Sequence, residues 1–157
     1  VCEKLHHIEG RKAVILFSDG IDTASSEISA EDTLDAVIES EDVVIYPIRY
    51  STRGDVEAKM SADDLARSQR EIDRTYRKAD EYLSELAEMS GGIVERADTL
   101  QDLNGAFTRI ADELRRQYLL GYYPTNRAKD ARDRKITVEV SRPGVKVRAR
   151  PAYRASQ

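Results

Sequence analysis

The side chains best suited to chemistry in this 157-residue chain are oxygen donors that follow a short apolar run. Five residues make up the candidate site: Ser18, Asp19, Gly20, Asp22 and Ser25. Carboxylate and hydroxyl oxygens suit Mg²⁺ or Ca²⁺ rather than a soft metal. A divalent cation takes about six oxygens, more than the few carboxylates and hydroxyls of this loop supply. The alternative interpretation is therefore an ordinary turn in which Asp19 bonds nearby backbone.

The apolar run before the site, residues 13–17, predicts a strand buried on both faces. Residues 43–48 predict a second such strand, in which Pro47 indicates a missing partner on one side or a bend. Ile93 and Val94 predict a short third strand. In a parallel sheet, ligands lie outside the carboxyl ends of the strands, which is where Asp19 falls.

Helices are predicted between these strands from apolar periodicity and from capping residues. Ser29 or Ala30 opens one that ends near Ser40, and a second runs from Tyr76 to about Ser90. The third begins at Asp98 or Thr99, and five apolar residues spaced three or four apart mark its packed face: Leu100, Leu103, Phe107, Ile110 and Leu114. The alternation of strands and helices predicts an α/β fold with a parallel sheet and helices on its faces.

The last 40 residues have a different pattern. Residues 118–123 are rich in tyrosine, and residues 135–140 and 145–150 alternate apolar and polar side chains. We expect an antiparallel β meander of about three strands. Tyr118, Tyr122 and Tyr123 are predicted to pack it against the sheet, although stacking on nucleic-acid bases is an alternative.

Charge is unevenly distributed along the chain, whose net charge is −4. Residues 127–154 carry ten basic and three acidic groups, whereas the remainder carries 15 basic and 26 acidic groups. One interpretation is that the basic segment binds a polyanion. We favour two others: the basic segment is attracted to the acidic part of the same fold, or its basic face is simply solvated. We therefore do not expect nucleic acid as a partner.

Other candidate residues are weaker. The single cysteine, Cys2, excludes an internal disulfide framework and a Cys-rich zinc site. His6 and His7 are adjacent, so on a helix they point about 100° apart and are predicted to be surface residues. No apolar run approaches the roughly 20 residues of a membrane-spanning helix. Because the chain starts at Val1, we expect it to be a piece of a longer polypeptide.

Residues 10–22, with Phe17-Ser18-Asp19-Gly20 at their centre, resemble the fourth strand and following loop of a von Willebrand factor type A domain. Four later segments are similar to the bacterial subgroup of VWFA-related Acidobacterial domain proteins: residues 83–87, Ser90-Gly91-Gly92, residues 117–124 and residues 147–153. The resemblance implies that residues 1–117 are the C-terminal part of such a domain, a partial Rossmann-like α/β fold. Residues 51–75 would be a charged insertion and residues 118–157 a β-rich extension.

In that family three loops assemble a metal-ion-dependent adhesion site. The resemblance gives Asp19 the role of the aspartate after the fourth strand, with Mg²⁺ or another divalent cation as the cofactor of the complete protein. No Asp-x-Ser-x-Ser motif occurs in this chain, so the site is expected to be incomplete. The resemblance also implies a bacterial protein that is secreted or held in the cell envelope.

The resemblance implies a non-catalytic, adhesion-type module that binds an unidentified protein partner. One alternative is a metal-dependent phosphotransfer enzyme that uses Asp19, which needs a second acid and a lysine close by. Another is polyanion binding through the basic tail. The strand at residues 13–17 is expected to be a sheet edge that invites pairing with a second chain.

Overall fold

A three-stranded parallel sheet with helices on its faces forms the centre of the computed structural model, which describes residue 5 and residues 7–21, 29–40, 42–126, 128 and 130–154. The elements run in the order β1 (Lys12–Ser18), α1 (Ala30–Glu39), β2 (Val43–Arg49), α2 (Arg53–Ala58), α3 (Ala62–Ser90), β3 (Glu95–Arg96), α4 (Leu100–Arg115), β4 (Asp133–Lys135) and β5 (Ala152–Arg154). The predicted α/β class and parallel sheet are confirmed.

The sheet has the order β1-β2-β3, and β2 is its central strand. Strand β1 pairs with β2 over its whole length, from Lys12 opposite Val43 to Ser18 opposite Arg49. Strand β3 pairs only with the last two residues of β2. Because β1 has a single neighbour among the described strands, it lies at an edge of this sheet.

Pro47 fits inside β2 because of the direction of its missing N–H. Lys12 N–H donates to the Asp42 carbonyl and Tyr50 N–H donates to the Ser18 carbonyl, so the even-numbered residues of β2 face β1. Pro47 therefore faces the other side, at a point before the β3 pairing begins. Of the two predicted explanations for Pro47, a missing partner on one side of the strand is therefore the correct one.

Two apolar clusters cover opposite faces of the sheet. On one face Val37 of α1 and Leu83 and Leu86 of α3 pack with Val43 and Ile45. On the other face Ala106 and Ile110 of α4 pack with Tyr46 and Ile48, both of which are fully buried. The sheet is therefore the middle of three layers, with α1 and α3 on one side and α4 on the other.

Helix α3 is 29 residues long and begins at Ala62, rather than near Tyr76 as predicted. Its apolar periodicity is confined to the second half because the buried residues of the helix start at Tyr76. The first half is polar, and Ser61 caps it by accepting a hydrogen bond from the Asp64 N–H. The charged residues 51–75 are thus largely helical, in α2 and α3.

Helix α4 starts after Thr99, where a capping box with Asp102 satisfies the first turn. Leu100 was predicted on its packed face but is 81% exposed, and Phe107 is 45% exposed. The prediction is confirmed for Leu103, Ile110 and Leu114, which pack on the sheet together with Ala106. The alternating spacing of three and four thus extends to Leu100, a residue that does not pack on the sheet.

The third strand begins two residues later than predicted. Gly92 lies so close to β2 that a Cβ atom there would come within 2.0 Å of the Ile45 carbonyl oxygen. The Ile45 N–H donates to Oγ of Ser90 at 2.9 Å rather than to a strand. Ladder pairing with β2 therefore starts at Glu95, after Ile93 and Val94 have passed this contact.

The C-terminal segment forms fewer strands than predicted. Strands β4 and β5 pair antiparallel, whereas residues 136–140 and 145–150 are not strands. Tyr118, Tyr122 and Tyr123 are 90%, 59% and 92% exposed, so the prediction that they pack against the sheet is wrong. Helix α4 already occupies that face over β2. The Tyr122 ring contacts Tyr153 edge-on, with ring centroids 6.2 Å apart.

Candidate functional site

Asp19 lies at the carboxyl end of β1, as predicted, in the turn that leaves the sheet. Its Oδ1 atom accepts a hydrogen bond of 3.1 Å from the N–H of Ile21, and the preceding Ser18 Oγ accepts one of 3.0 Å from the N–H of Gly20. These two bonds hold the turn and leave the carboxylate partly exposed.

A side chain from the loop after the neighbouring strand holds Oδ2, the second carboxylate oxygen of Asp19. Thr52 follows β2 and donates its hydroxyl to Asp19 Oδ2 at 2.9 Å. The Thr52 oxygen also lies 2.9 Å from the hydroxyl of Tyr76, a buried residue of α3. Threonine has one hydroxyl hydrogen, which it donates to the carboxylate, so Tyr76 donates to Thr52. Tyr76, Thr52 and Asp19 thus form a chain of two hydrogen bonds from α3 to the carboxylate, which we call the relay.

Gly20 allows the turn to lie directly against α3. Its φ is +75°, and a Cβ atom would lie 2.8 Å from the Ala79 carbonyl oxygen and 3.0 Å from Cγ of Leu83. Any other L-residue would both strain the backbone and collide with helix backbone. The sequence Ser18-Asp19-Gly20 therefore sets the distance between the carboxylate and the helix that carries Tyr76.

Charged pairs surround this relay at the same edge of the sheet. Arg49, the last residue of β2, forms an ion pair with Asp80 of α3 and is only 14% exposed. Arg53 bonds Glu57 and, at 2.6 Å, Asp73. The hydrogen bond from Arg53 lowers the pKa of Asp73 below its usual value. These pairs tie α2 and α3 to the carboxyl end of β2.

A further bond extends the arrangement to the third strand. The N–H of Ser51, in the loop after β2, donates to Oδ1 of Asp98 at 3.1 Å, and Asp98 follows β3. The loops after β1, β2 and β3 are thus connected to one another by Asp19–Thr52 and Ser51–Asp98. This is the edge at which parallel sheets bind ligands.

The described residues include three of the five residues of the predicted site. Ser18, Asp19 and Gly20 come together in one turn. Asp22 and Ser25 lie outside the described residues, as do Cys2 and His6. His7 is exposed, as predicted for a surface histidine.

The described oxygen atoms do not make a complete divalent-cation site. Asp19 contributes the single carboxylate of the relay, and its partners Thr52 and Tyr76 contribute neutral hydroxyls. Among the described residues there is no group of three or more acidic, histidine or cysteine side chains that could hold a metal. A divalent cation takes about six oxygens and favours several carboxylates. The described residues therefore supply only some of the oxygen ligands that a divalent cation needs.

Sequence reasoning missed Thr52 and Tyr76. Thr52 could have been found, because it follows β2 and the carboxyl ends of neighbouring parallel strands meet at one edge. Tyr76 was assigned to a packed helix face, and nothing in its spacing indicates that its hydroxyl reaches a threonine. The ion pair between Arg49 and Asp80 was also missed, because it joins two elements that are distant in the sequence.

The basic C-terminal segment makes ion pairs with the acidic body of the molecule. Arg154 bonds Asp35 and Glu39 of α1 as well as Asp133, and Arg148 pairs with Glu113 of α4. Arg150 donates to the Val37 and Ile38 carbonyls near the end of α1. These contacts support the interpretation that the two oppositely charged parts attract each other.

Comparisons with protein-family models, curated proteins and solved structures gave no match. The resemblance to the von Willebrand factor type A family thus depends on the sequence segments alone. Within the described residues, every helix is too short or too polar to cross a lipid bilayer.

Proposed function

We propose that this chain belongs to a non-catalytic protein-binding module of the von Willebrand factor type A kind, in which Asp19 supplies one ligand of a divalent-cation site. The chain holds that site in part. The observation that carries the proposal is the position of the Asp19 carboxylate. It lies at the carboxyl end of β1, and Thr52 from the next loop orients it.

The relay gives the Asp19 carboxylate a fixed direction. Thr52 and the Ile21 N–H both donate to it, one to each oxygen. Each carboxylate oxygen retains a further lone pair for a cation or for a coordinated water. A partner's carboxylate would then occupy an open coordination position on the ion.

The same contacts favour binding over phosphotransfer. An aspartyl-phosphate enzyme needs a second acid and a cationic side chain beside its nucleophile. In the described part of the chain, the groups hydrogen-bonded to Asp19 are a neutral hydroxyl and a backbone amide. Arg49, at the end of the neighbouring strand, is paired with Asp80.

The proposal is tested by Mn²⁺ titration of the chain, followed by water-proton relaxation. We expect binding in the millimolar range, loss of about tenfold or more in Asp19→Asn, and unchanged binding in the control Asp112→Asn, which alters an acid on α4. An added acidic peptide should tighten Mn²⁺ binding by the wild-type chain, because its carboxylate completes the coordination.

Two results would contradict the proposal. Equal Mn²⁺ affinity of wild type and Asp19→Asn would remove Asp19 from the site. An acidic peptide that leaves Mn²⁺ affinity unchanged would remove the cation-bridged partner.

A further inference from the structure

Strands β4 and β5 define a register that extends beyond their own ends. Asp133 of β4 lies opposite Arg154 of β5, and each later residue of β4 lies opposite an earlier residue of β5. Just past the two strands, the N–H of Ile136 donates to the Pro151 carbonyl at 2.7 Å in the same register. Antiparallel strands exchange hydrogen bonds at every second pair, so this bond predicts where the next ones would form.

The same register ends at a tight turn. Continued along both segments, it brings Arg142 opposite Val145, and the two residues between them, Pro143-Gly144, form a turn. A two-residue loop is the commonest connection between antiparallel strands in a hairpin. Residues 133–154 are therefore a hairpin whose base and turn agree in register.

The middle of this hairpin is open. In the register, the next hydrogen-bonded pairs are Val138 with Ala149 and Val140 with Val147. In the part of the chain that the structure describes, neither pair makes a backbone hydrogen bond. The side chains nevertheless suit a ladder, because both pairs are apolar and cross-strand apolar pairs stabilise a sheet. A matched pairing is thus available that the structure leaves unmade.

The conformation of the turn explains why the middle is open. The ring of Pro143 restricts its φ to about −65°, and Gly144 has a φ of +77°. Proline at the first central position and a positive φ at the second are the geometry of a type II turn. Types I and II splay the strands of a two-residue hairpin, whereas types I′ and II′ match the twist of the strands. This turn therefore opposes pairing of the residues next to it.

The segment after the turn is held on the body of the molecule instead. Arg148 forms an ion pair with Glu113 of α4, and Arg150 donates to two carbonyls near the end of α1, at 3.0 and 3.2 Å. Residues 147–149 line an open groove of about 490 Å³ whose other side includes residues 91–94. Because this groove separates the two segments, arginine side chains rather than a packed backbone hold residues 147–149 in place.

We propose that residues 137–150 are a strap with two positions. In the open position, which the structure has, residues 145–150 dock on α1 and α4. In the closed position they pair with residues 137–142, and Arg148 exchanges Glu113 for the exposed Glu139, which lies opposite it in the register. That pair occupies a non-hydrogen-bonded position of the ladder, where side chains come closest.

Closure of the strap also changes the surface beside it. Residues 147–149 move away from residues 91–94, so the groove between them widens. A segment with two discrete sets of partners is the kind of element that proteins use as a switch. The inference goes beyond the proposed function and does not depend on a cation.

Amide hydrogen exchange, followed by NMR, tests the two positions. In the wild-type chain we expect the amides of Val140 and Val147 to exchange faster than the paired amides of β4 and β5. Pro143→Asn creates an Asn-Gly turn, which favours type I′ and therefore closure, and should slow exchange at both amides by about tenfold or more. Pro124→Asn makes the same substitution in another loop and should leave both rates unchanged. Far-UV circular dichroism checks that both variants fold.

The exchange of partners by Arg148 is tested at Glu113. Glu113→Gln removes the charge that holds Arg148 in the open position, so it should slow exchange at Val140 and Val147, by up to about fivefold for a surface ion pair. Asp112→Asn is the matched control, because it removes the neighbouring acid of α4, which pairs with Arg115.

Disulfide formation tests the register of the closed position. In a Cys2→Ser background, Val140→Cys/Val147→Cys should oxidise to an intramolecular disulfide, because paired Cα atoms of a closed ladder lie about 5.5 Å apart, within disulfide range. Val138→Cys/Val147→Cys is displaced from the register by two residues and should oxidise more slowly. Pro143→Asn should increase the difference between the two rates.

The proposal is overturned if the wild-type amides of Val140 and Val147 are protected as strongly as those of β4 and β5, since the hairpin would then be closed throughout. It is also overturned if Pro143→Asn leaves both exchange rates unchanged. A Glu113→Gln variant that exchanges like the wild type would contradict the competition with α4, and faster oxidation of the displaced cysteine pair would contradict the register.

Discussion

Thr52 donates its hydroxyl hydrogen to Oδ2 of Asp19 across 2.9 Å and thereby joins the loops that follow two neighbouring strands. The residues are 33 positions apart in the chain. Because Tyr76 in turn donates to Thr52, the direction of the Asp19 carboxylate depends on the seating of α3. The orientation of the Asp19 carboxylate and the stability of the fold are therefore coupled.

Thr52→Val should destabilise the protein by about 1–3 kcal/mol, because it leaves the Tyr76 hydroxyl without its acceptor and Asp19 Oδ2 without its donor. Thr52→Ser keeps the hydroxyl and is the matched control. The measurement is urea unfolding followed by circular dichroism. A serine variant that is destabilised as much as the valine variant would show that the methyl group, not the relay, matters.

Gly20→Ala should destabilise the protein by about 2 kcal/mol or more, because the new methyl group strains a backbone with φ of +75° and meets the Ala79 carbonyl oxygen. Gly144→Ala is the control: its φ is +77°, but nothing lies within 4 Å of a Cβ there. The difference between their unfolding free energies isolates the contact with α3. Equal losses would show that the turn does not press on the helix.

Asp80→Ala should cost about 1–3 kcal/mol, because it leaves Arg49 largely buried without its counter-charge. The double variant Arg49→Met/Asp80→Leu should recover most of this loss, since a packed apolar pair replaces the ion pair. Glu81→Ala is the comparison on the same helix. Its partner Arg77 lies 3.9 Å away and both side chains are about 70% exposed, so the expected effect is under about 0.5 kcal/mol.

The carboxyl group of Asp133 should titrate below the usual pH range of an aspartate, because its hydrogen bond to Arg154 lowers the pKa of Asp133. A depressed folded-state pKa contributes stability above the unfolded-state pKa, about 3.9, which is lost as pH falls through the folded-state value. Carbon-detected NMR titration measures the midpoint directly. Arg154→Gln should raise it, and Arg142→Gln, in the preceding turn, should not. An unchanged midpoint in Arg154→Gln would contradict this assignment.

Local features of the fold were predictable. The apolar runs at 13–17 and 43–48 mark β1 and β2, and Ser29 and Gly91 mark the beginning of α1 and the end of α3. Each depends on residues within a few positions of one another. Asp19 could be assigned to the carboxyl edge for the same reason, since it directly follows the strand at 13–17. The prediction that this strand is buried on both faces is wrong, because Ile15 and Phe17 of β1 are 42% and 54% exposed on the face that α4 leaves uncovered.

The extent of α3 and the strands of the C-terminal segment were not predictable in this way. Apolar periodicity reports where a helix is packed, so the polar half of α3 before Tyr76 gave no such signal. Alternation at 135–140 and 145–150 is compatible with strands, but strand formation also needs a hydrogen-bonding neighbour. Only Asp133–Lys135 and Ala152–Arg154 pair in the described structure.

The sequence by itself determined the positions of β1 and β2, the two ends of α1, the start of α4 and the placement of one carboxylate where a strand ends. The tertiary structure decided which groups meet that carboxylate, where the arginines of the tail attach, and that α4 covers β2 while leaving Ile15 and Phe17 exposed. The physical reason is one of range. Backbone hydrogen bonds and side-chain periodicity depend on neighbouring residues, whereas coverage of a face depends on how distant elements pack.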